Sequence, residues 1–143
     1  MSADAHAGAR GGPLARRGPI FAALTGLTSL AILLQGVFAG EFIQHGAHGS
    51  WLNAHDVNAD VVIGLAVVTA GYALARLRSH ARALVVGSVV LAVLVIVQDS
   101  IGHAITDSHD DGLIPVHVPL ALVIFGLTIW LSVRARVLRQ ALR

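Results

Sequence analysis

Apolar residues run along this chain in four long blocks, and the polar residues gather between them. The blocks fall at about residues 19–44, 54–75, 83–105 and 115–133. A helix at a soluble surface carries a polar stripe that returns every third or fourth position. The run Val61 to Ala75, VVIGLAVVTAGYALA, has no such stripe. Each block offers roughly 20 mainly apolar residues, enough to cross a hydrocarbon layer about 30 Å thick. The pattern therefore predicts an all-α fold, an integral membrane four-helix bundle over residues 19–138. Residues 1–18 are expected to form a disordered tail and residues 139–143 a short basic one.

Local signals place the helix starts. Pro19 suits the first helical position of the first block, and Pro115 that of the fourth. Asn53, with Asp56 three residues on, reads as the cap of the second helix, which puts His55 in its first turn. His117 falls in the first turn of the fourth helix, and Pro119 beyond it predicts a mild bend. Val37-Phe38-Ala39 ahead of Gly40 has the small-residue look of a cleavage site. The apolar run before it exceeds the roughly 7–15 residues of a signal core, so an uncleaved helix is expected.

Composition agrees: hydrophobic residues make up 55% of the 143 and charged residues only 13%, with a mean hydropathy of +0.74. Cysteine is absent, which removes disulfides, thiolate metal sites and cysteine nucleophiles. All ten basic residues are arginine, and they lie before the first block, between the second and third, and after the fourth. By the positive-inside rule both termini and the middle connection are expected in the cytoplasm, in a membrane of the bacterial inner type. The isoelectric point near 10.4 is thereby explained as a topogenic, lipid-facing collar, and a nucleic-acid partner is not expected. Seven of the eight acidic residues and six of the eight histidines sort to the opposite ends of the helices. The chemistry is expected on the extracytoplasmic side.

Two stretches share a layout. Gln35 precedes His55 by twenty positions, and Gln98 precedes His117 by nineteen. A glycine follows each histidine nine residues later, at Gly64 and Gly126, while Gly40 and Gly102 follow the glutamines by five and four. Self-similarity of this kind predicts two helical hairpins related by duplication. Each supplies one histidine at equivalent depth, on helices that are not sequence neighbours.

Ionisable side chains within membrane helices face the bundle interior and mark function by default. Two histidines facing each other across four helices suit the clamping of a haem, one imidazole from each side of the iron. The four glycines would then allow close backbone approach, and Gln35 and Gln98 would be buried amides bonded across helices or to the cofactor edge. The bland alternative is an interfacial histidine bonded to loop carbonyls or water. A different reading uses the outer rim, where Glu41, His45, His48, Asp99, His103 and His109 could bind zinc or copper. The spacings there match no tight ligand motif. A rim histidine could also serve as a proton or quinone partner beside a haem. A purely structural subunit completes the alternatives. No nucleophile elbow, phosphate loop or dinucleotide-binding turn is present, which favours a binding or electron-transfer subunit over a self-contained catalyst.

The run QDSIGHAIT followed by IPVHVPLALVIFG resembles one four-helix half of the haem A synthase family. LLQGVFAG, with its later histidine and glycine, is similar to small four-helix bacterial membrane proteins of the same layout. The resemblance covers roughly Gln35 to Gly126 and implies His55 and His117 as axial haem ligands. Haem A synthases hold two such units and this chain one, and their paired glutamates are matched by Glu41 alone. Haem hydroxylation is therefore not carried over, and a single haem b is what the resemblance implies. The expected role is electron transfer to or from a quinol or an extracytoplasmic redox partner, as a homo-oligomer or a subunit of a larger membrane complex.

Overall fold

The computed structural model describes residues 13–45 and 49–140, with the backbone alone for 13–16 and 139. Four helices dominate it: α1 Pro13–His45, α2 Ser50–Arg76, α3 Arg82–Ser108 and α4 Ile114–Gln140, with a single 3-10 turn, Asp111–Leu113, leading into α4. All four are long and apolar enough to cross a membrane. The fold is an all-α four-helix bundle.

Every helix outruns its apolar block, and the capping expectations are corrected accordingly. Helix α1 starts at Pro13, so Pro13 takes the first helical position and Pro19 lies inside the helix. Only one backbone bond, to the carbonyl of Ala15, is forgone there. Residues 13–18 are thus helical rather than part of a tail, and residues 1–12 lie outside the described residues. Helix α2 is capped by Gly49, at φ 150° in a region that favours glycine, and Asn53 sits within its first turn. His55 is therefore in the second turn. Helix α3 ends on His109, left-handed at φ 57°, and the Asp110 N–H closes on the Ala104 carbonyl at 3.4 Å. Pro115 is the second residue of α4, and His117 stays in its first turn. Helix α4 continues to Gln140, so residues 139 and 140 of the expected basic tail are helical, and residues 141–143 lie outside the described residues.

The helices pack in a ring. Among the described residues α1 packs beside α2 and α4, and α3 beside α2 and α4, while the backbones of the diagonal pairs α1–α3 and α2–α4 do not come within 8 Å of each other, Cα to Cα. What fills the centre differs along the bundle. Toward the arginine-bearing end, Phe21, Leu77, Leu84, Leu91 and Leu131 are buried together with Thr25, Thr28, Thr69, Ser88 and Thr128. Each hydroxyl donates to the carbonyl one turn back, as Ser88 does to Leu84 at 2.6 Å and Thr69 to Leu65 at 2.7 Å. Such small, self-satisfied residues let membrane helices approach closely. Gly87 is a strict case, since a Cβ there would stand 2.9 Å from Leu131 Cδ2 and 3.2 Å from the Trp130 ring.

The duplication is visible in the core. Equivalent positions lie 63 residues apart on the odd helices and 62 on the even ones, so the single-residue difference falls in a connection rather than in a helix. Phe21 and Leu84, Thr25 and Ser88, Val62 and Ile124, and Ala73 and Ala135 are buried as matched pairs. The same burial in both hairpins is what a pseudo-twofold bundle requires.

Arg17 ties α1 to α2 at the arginine end. Its guanidinium donates to the Arg76 carbonyl at 2.8 Å, satisfying one of the free acceptors at the end of α2. The Tyr72 hydroxyl donates to the Arg17 carbonyl at 3.2 Å.

Candidate functional site

In the histidine-bearing half the ring of helices opens around a cavity of about 600 Å³ lined by all four of them. One buried or half-buried aliphatic from each helix forms its inner end: Ile32, Val62, Val95 and Ile124. These are again two matched pairs. His55 of α2 and His117 of α4 both line the cavity, on one diagonal of the ring, and Gln35 of α1 and Gln98 of α3 line it on the other. Asp56, Asp99 and His103 also contribute to the wall.

The glutamines hold the histidine turns in the same way in both hairpins. Gln35 Nε2 donates to the His55 carbonyl at 2.9 Å, and Gln98 Nε2 donates to the His117 carbonyl at 2.9 Å. Each amide thus crosses to the next helix and fixes the depth of one imidazole. Beyond this the halves differ. His55 Nδ1 lies 3.2 Å from the Gln35 carbonyl, which can only accept, so Nδ1 carries the proton and the lone pair is left on Nε2. Asn58 Nδ2 donates to Gln35 Oε1 at 2.6 Å and to the Ala31 carbonyl at 2.9 Å. The Phe42 ring meets the His55 ring edge-on, with centroids 5.2 Å apart. In the second hairpin the residue equivalent to Asn58 is Leu120. There Gln98 Oε1 is buried with no partner, and the contact of His117 Nδ1 with the Gln98 carbonyl falls short of good hydrogen-bond geometry.

Of the glycines expected to allow close approach, Gly102 does so: a Cβ there would lie 3.2 Å from His117 Cε1. Its structural counterpart in the first hairpin is Ala39, which also lines the cavity. Gly40, Gly64 and Gly126 are exposed, do not line the cavity, and have nothing within 4 Å of an added Cβ. Their spacing explains this. Nine residues after a histidine is about two and a half turns, which is the opposite face of the helix, whereas four residues after Gln98 is the same face. Gly36, one residue past Gln35, lines the cavity instead.

The rim residues pair within their own helices. His45 Nδ1 donates to the Glu41 carbonyl at 2.9 Å with the Glu41 carboxylate 3.3 Å away. His103 Nδ1 donates likewise to the Asp99 carbonyl at 3.1 Å, with the carboxylate at 3.5 Å. His109 folds onto the Thr106 carbonyl at 3.1 Å, and His48 lies outside the described residues. Among the described residues no three of histidine, cysteine, aspartate or glutamate come together as a metal cluster. Glu41 is six residues past Gln35 but Asp99 only one past Gln98, so the two pairs stand at depths about 7 Å apart.

Asn58 was not singled out by the sequence reading. The signal available was an amide inside an apolar helix, one turn past a histidine. It was masked because the other hairpin has leucine there.

Comparison with protein-family models, curated proteins and solved structures gives no match to this chain.

Proposed function

We propose that the chain is a membrane haem b-binding protein, a small b-type cytochrome-like subunit, with His55 and His117 as the axial ligands. The observation that carries this reading is two imidazoles from diagonal helices facing one cavity at equivalent positions, each held by the same glutamine bond. Three further features support it. The cavity volume lies within the roughly 300–1,000 Å³ of small-molecule and cofactor sites. The inner end is aliphatic, which keeps water from the donors. Gly102 leaves the room that the His117 ring needs.

In this reading each residue has a task. Gln35 and Gln98 set the height of the two imidazoles, the Gln35 carbonyl selects the tautomer that leaves His55 Nε2 free, and Asn58 stops Gln35 from turning away. Ile32, Val62, Val95 and Ile124 set how far a planar group enters. Bound haem would supply a one-electron iron couple. The function is electron transfer with a quinol or an extracytoplasmic redox partner, with the arginine end in the cytoplasm and the lipid bilayer around the exposed aliphatic belt. The haem A synthase-like motif QDSIGHAIT with IPVHVPLALVIFG fits the same reading.

The test is haem stoichiometry. Protein purified in detergent and titrated with haemin is expected to saturate at one haem per chain. The double variant His55→Ala with His117→Ala is expected to take up none while keeping its helical content. Equal uptake by the double variant would remove the reading. A chain that binds no haem at all would leave the structural-subunit alternative standing.

A further inference from the structure

The two hairpins share a plan but not their hydrogen bonding, and one of the differences lies around the candidate ligands. On the α2 side the Gln35 amide and His55 Nδ1 are all bonded. His55 Nδ1 donates to the Gln35 carbonyl, Gln35 Nε2 donates to the His55 carbonyl, and Asn58 bridges Gln35 Oε1 to the Ala31 carbonyl. On the α4 side Leu120 replaces the bridging amide, Gln98 Oε1 is buried without a partner, and the contact of His117 Nδ1 with the Gln98 carbonyl falls short of good hydrogen-bond geometry. A ligating imidazole whose other nitrogen is well bonded is better oriented and more basic than one whose bond is poor.

The backbone beneath the two histidines differs as well. His55 stands in the second turn of a helix that has no proline. His117 stands in the first turn of α4, after a 3-10 turn and between Pro115 and Pro119. Pro119 has no N–H to give the Pro115 carbonyl, so the turn that carries His117 lacks one of its own bonds. A turn with fewer internal bonds opens at lower cost.

We propose that His117 is the exchangeable ligand of the pair and His55 the permanent one, so that the α4 side of the cavity admits a small neutral diatomic ligand in place of His117. This rests on the haem reading above. It adds ligand binding to a site otherwise suited to electron transfer alone. Leu120 is the residue that sets the difference: an asparagine there would stand in the register of Asn58, able to reach Gln98 Oε1 and the carbonyl of Leu94.

The experiment uses the full chain, haem-loaded in detergent, with carbon monoxide as the probe. A low-spin spectrum before addition is the gate, and its absence counts against the haem reading rather than this one. With it in place, the dithionite-reduced protein is expected to form a carbon monoxide adduct. The C–O stretch of that adduct should match that of His117→Ala and differ from that of His55→Ala. Leu120→Asn should slow adduct formation by about tenfold, the effect of a bond or so gained by the ligated state. In the haem-free protein, Leu120→Asn should raise the melting temperature and Asn58→Leu lower it. A low-spin protein that takes up no carbon monoxide overturns the proposal. So does a stretch that matches His55→Ala, or a Leu120→Asn protein with unchanged rate and unchanged or lower melting temperature.

Discussion

The two halves of this bundle are made from the same four helices, yet one is closed and the other open. At the arginine end the centre is filled by Phe21, Leu91, Leu131 and a set of threonines and serines bonded to their own helices. At the histidine end the centre is a cavity walled by side chains from all four helices. Small residues close the first half, where Gly87 and Ser88 bring α3 against α4. In the second half the inward positions carry amides and imidazoles whose bonds run to neighbouring helices rather than across the ring. Cohesion and chemistry are thus segregated along the bundle axis, and the cavity needs the closed half as its foundation.

Substitutions separate the two halves sharply. Leu131→Ala, in the closed half, removes a fully buried side chain and should cost about 2–5 kcal/mol of stability in detergent. Leu122→Ala, which lines the cavity but is 69% exposed, should leave the melting temperature nearly unchanged. Equal losses in the two would erase the distinction.

Glycine-to-alanine changes sharpen it. Gly87→Ala places a methyl 2.9 Å from Leu131 and should destabilise the fold by about 1–3 kcal/mol. Gly102→Ala places one 3.2 Å from the His117 ring, with the cavity behind it to receive the displacement. It should therefore spare the melting temperature and weaken haem uptake. Thermal unfolding and haemin titration on the same samples read both quantities.

A smaller effect is expected for Asn58→Leu, which leaves Gln35 Oε1 and the Ala31 carbonyl without their donor. Polar bonds inside membrane bundles are worth about 0.6–2 kcal/mol, so a loss of that size is expected, with haem binding perturbed on the His55 side alone. The smallest effect belongs to the rim. Glu41→Gln and Asp99→Asn break pairs that are exposed or partly so, and stability should change by less than about 0.5 kcal/mol. Zinc or copper added to the wild type should not shift haem uptake.

The orientation of the bundle can be read directly, because the chain has no cysteine. A single cysteine at Asp110 should react with an impermeant maleimide applied to intact cells, and one at Ser79 only after the membrane is opened. The reverse pattern would invert the topology.

Much of the fold was legible because a membrane leaves few choices: a long apolar run must be a helix, and its length is set by the bilayer. The ends of the helices were not legible in the same way. Backbone outside the apolar run continues as helix when an early residue such as Pro13 or Gly49 sets the start, and propensity alone does not reveal which candidate wins. The Gln35–His55 and Gln98–His117 bonds could be anticipated as pairs because duplication preserved their spacing. Gly64 and Gly126 shared the repeat but sit on the outward face, so a repeated residue is not by that fact a site residue. Asn58 was missed for the converse reason: it belongs to one hairpin only, and a search for repeats is blind to what breaks them. The cavity itself depends on how four helices cross, which no single-helix pattern encodes.

The central claim, two opposed histidines on one iron, is tested most directly by the visible spectrum of the haem-loaded protein beside His55→Ala and His117→Ala. The expected result is a low-spin spectrum with sharp reduced α and β bands in the wild type, turned to high spin in each single variant. A wild-type spectrum that survives in either variant, or a protein that stays colourless after haemin addition, would contradict it.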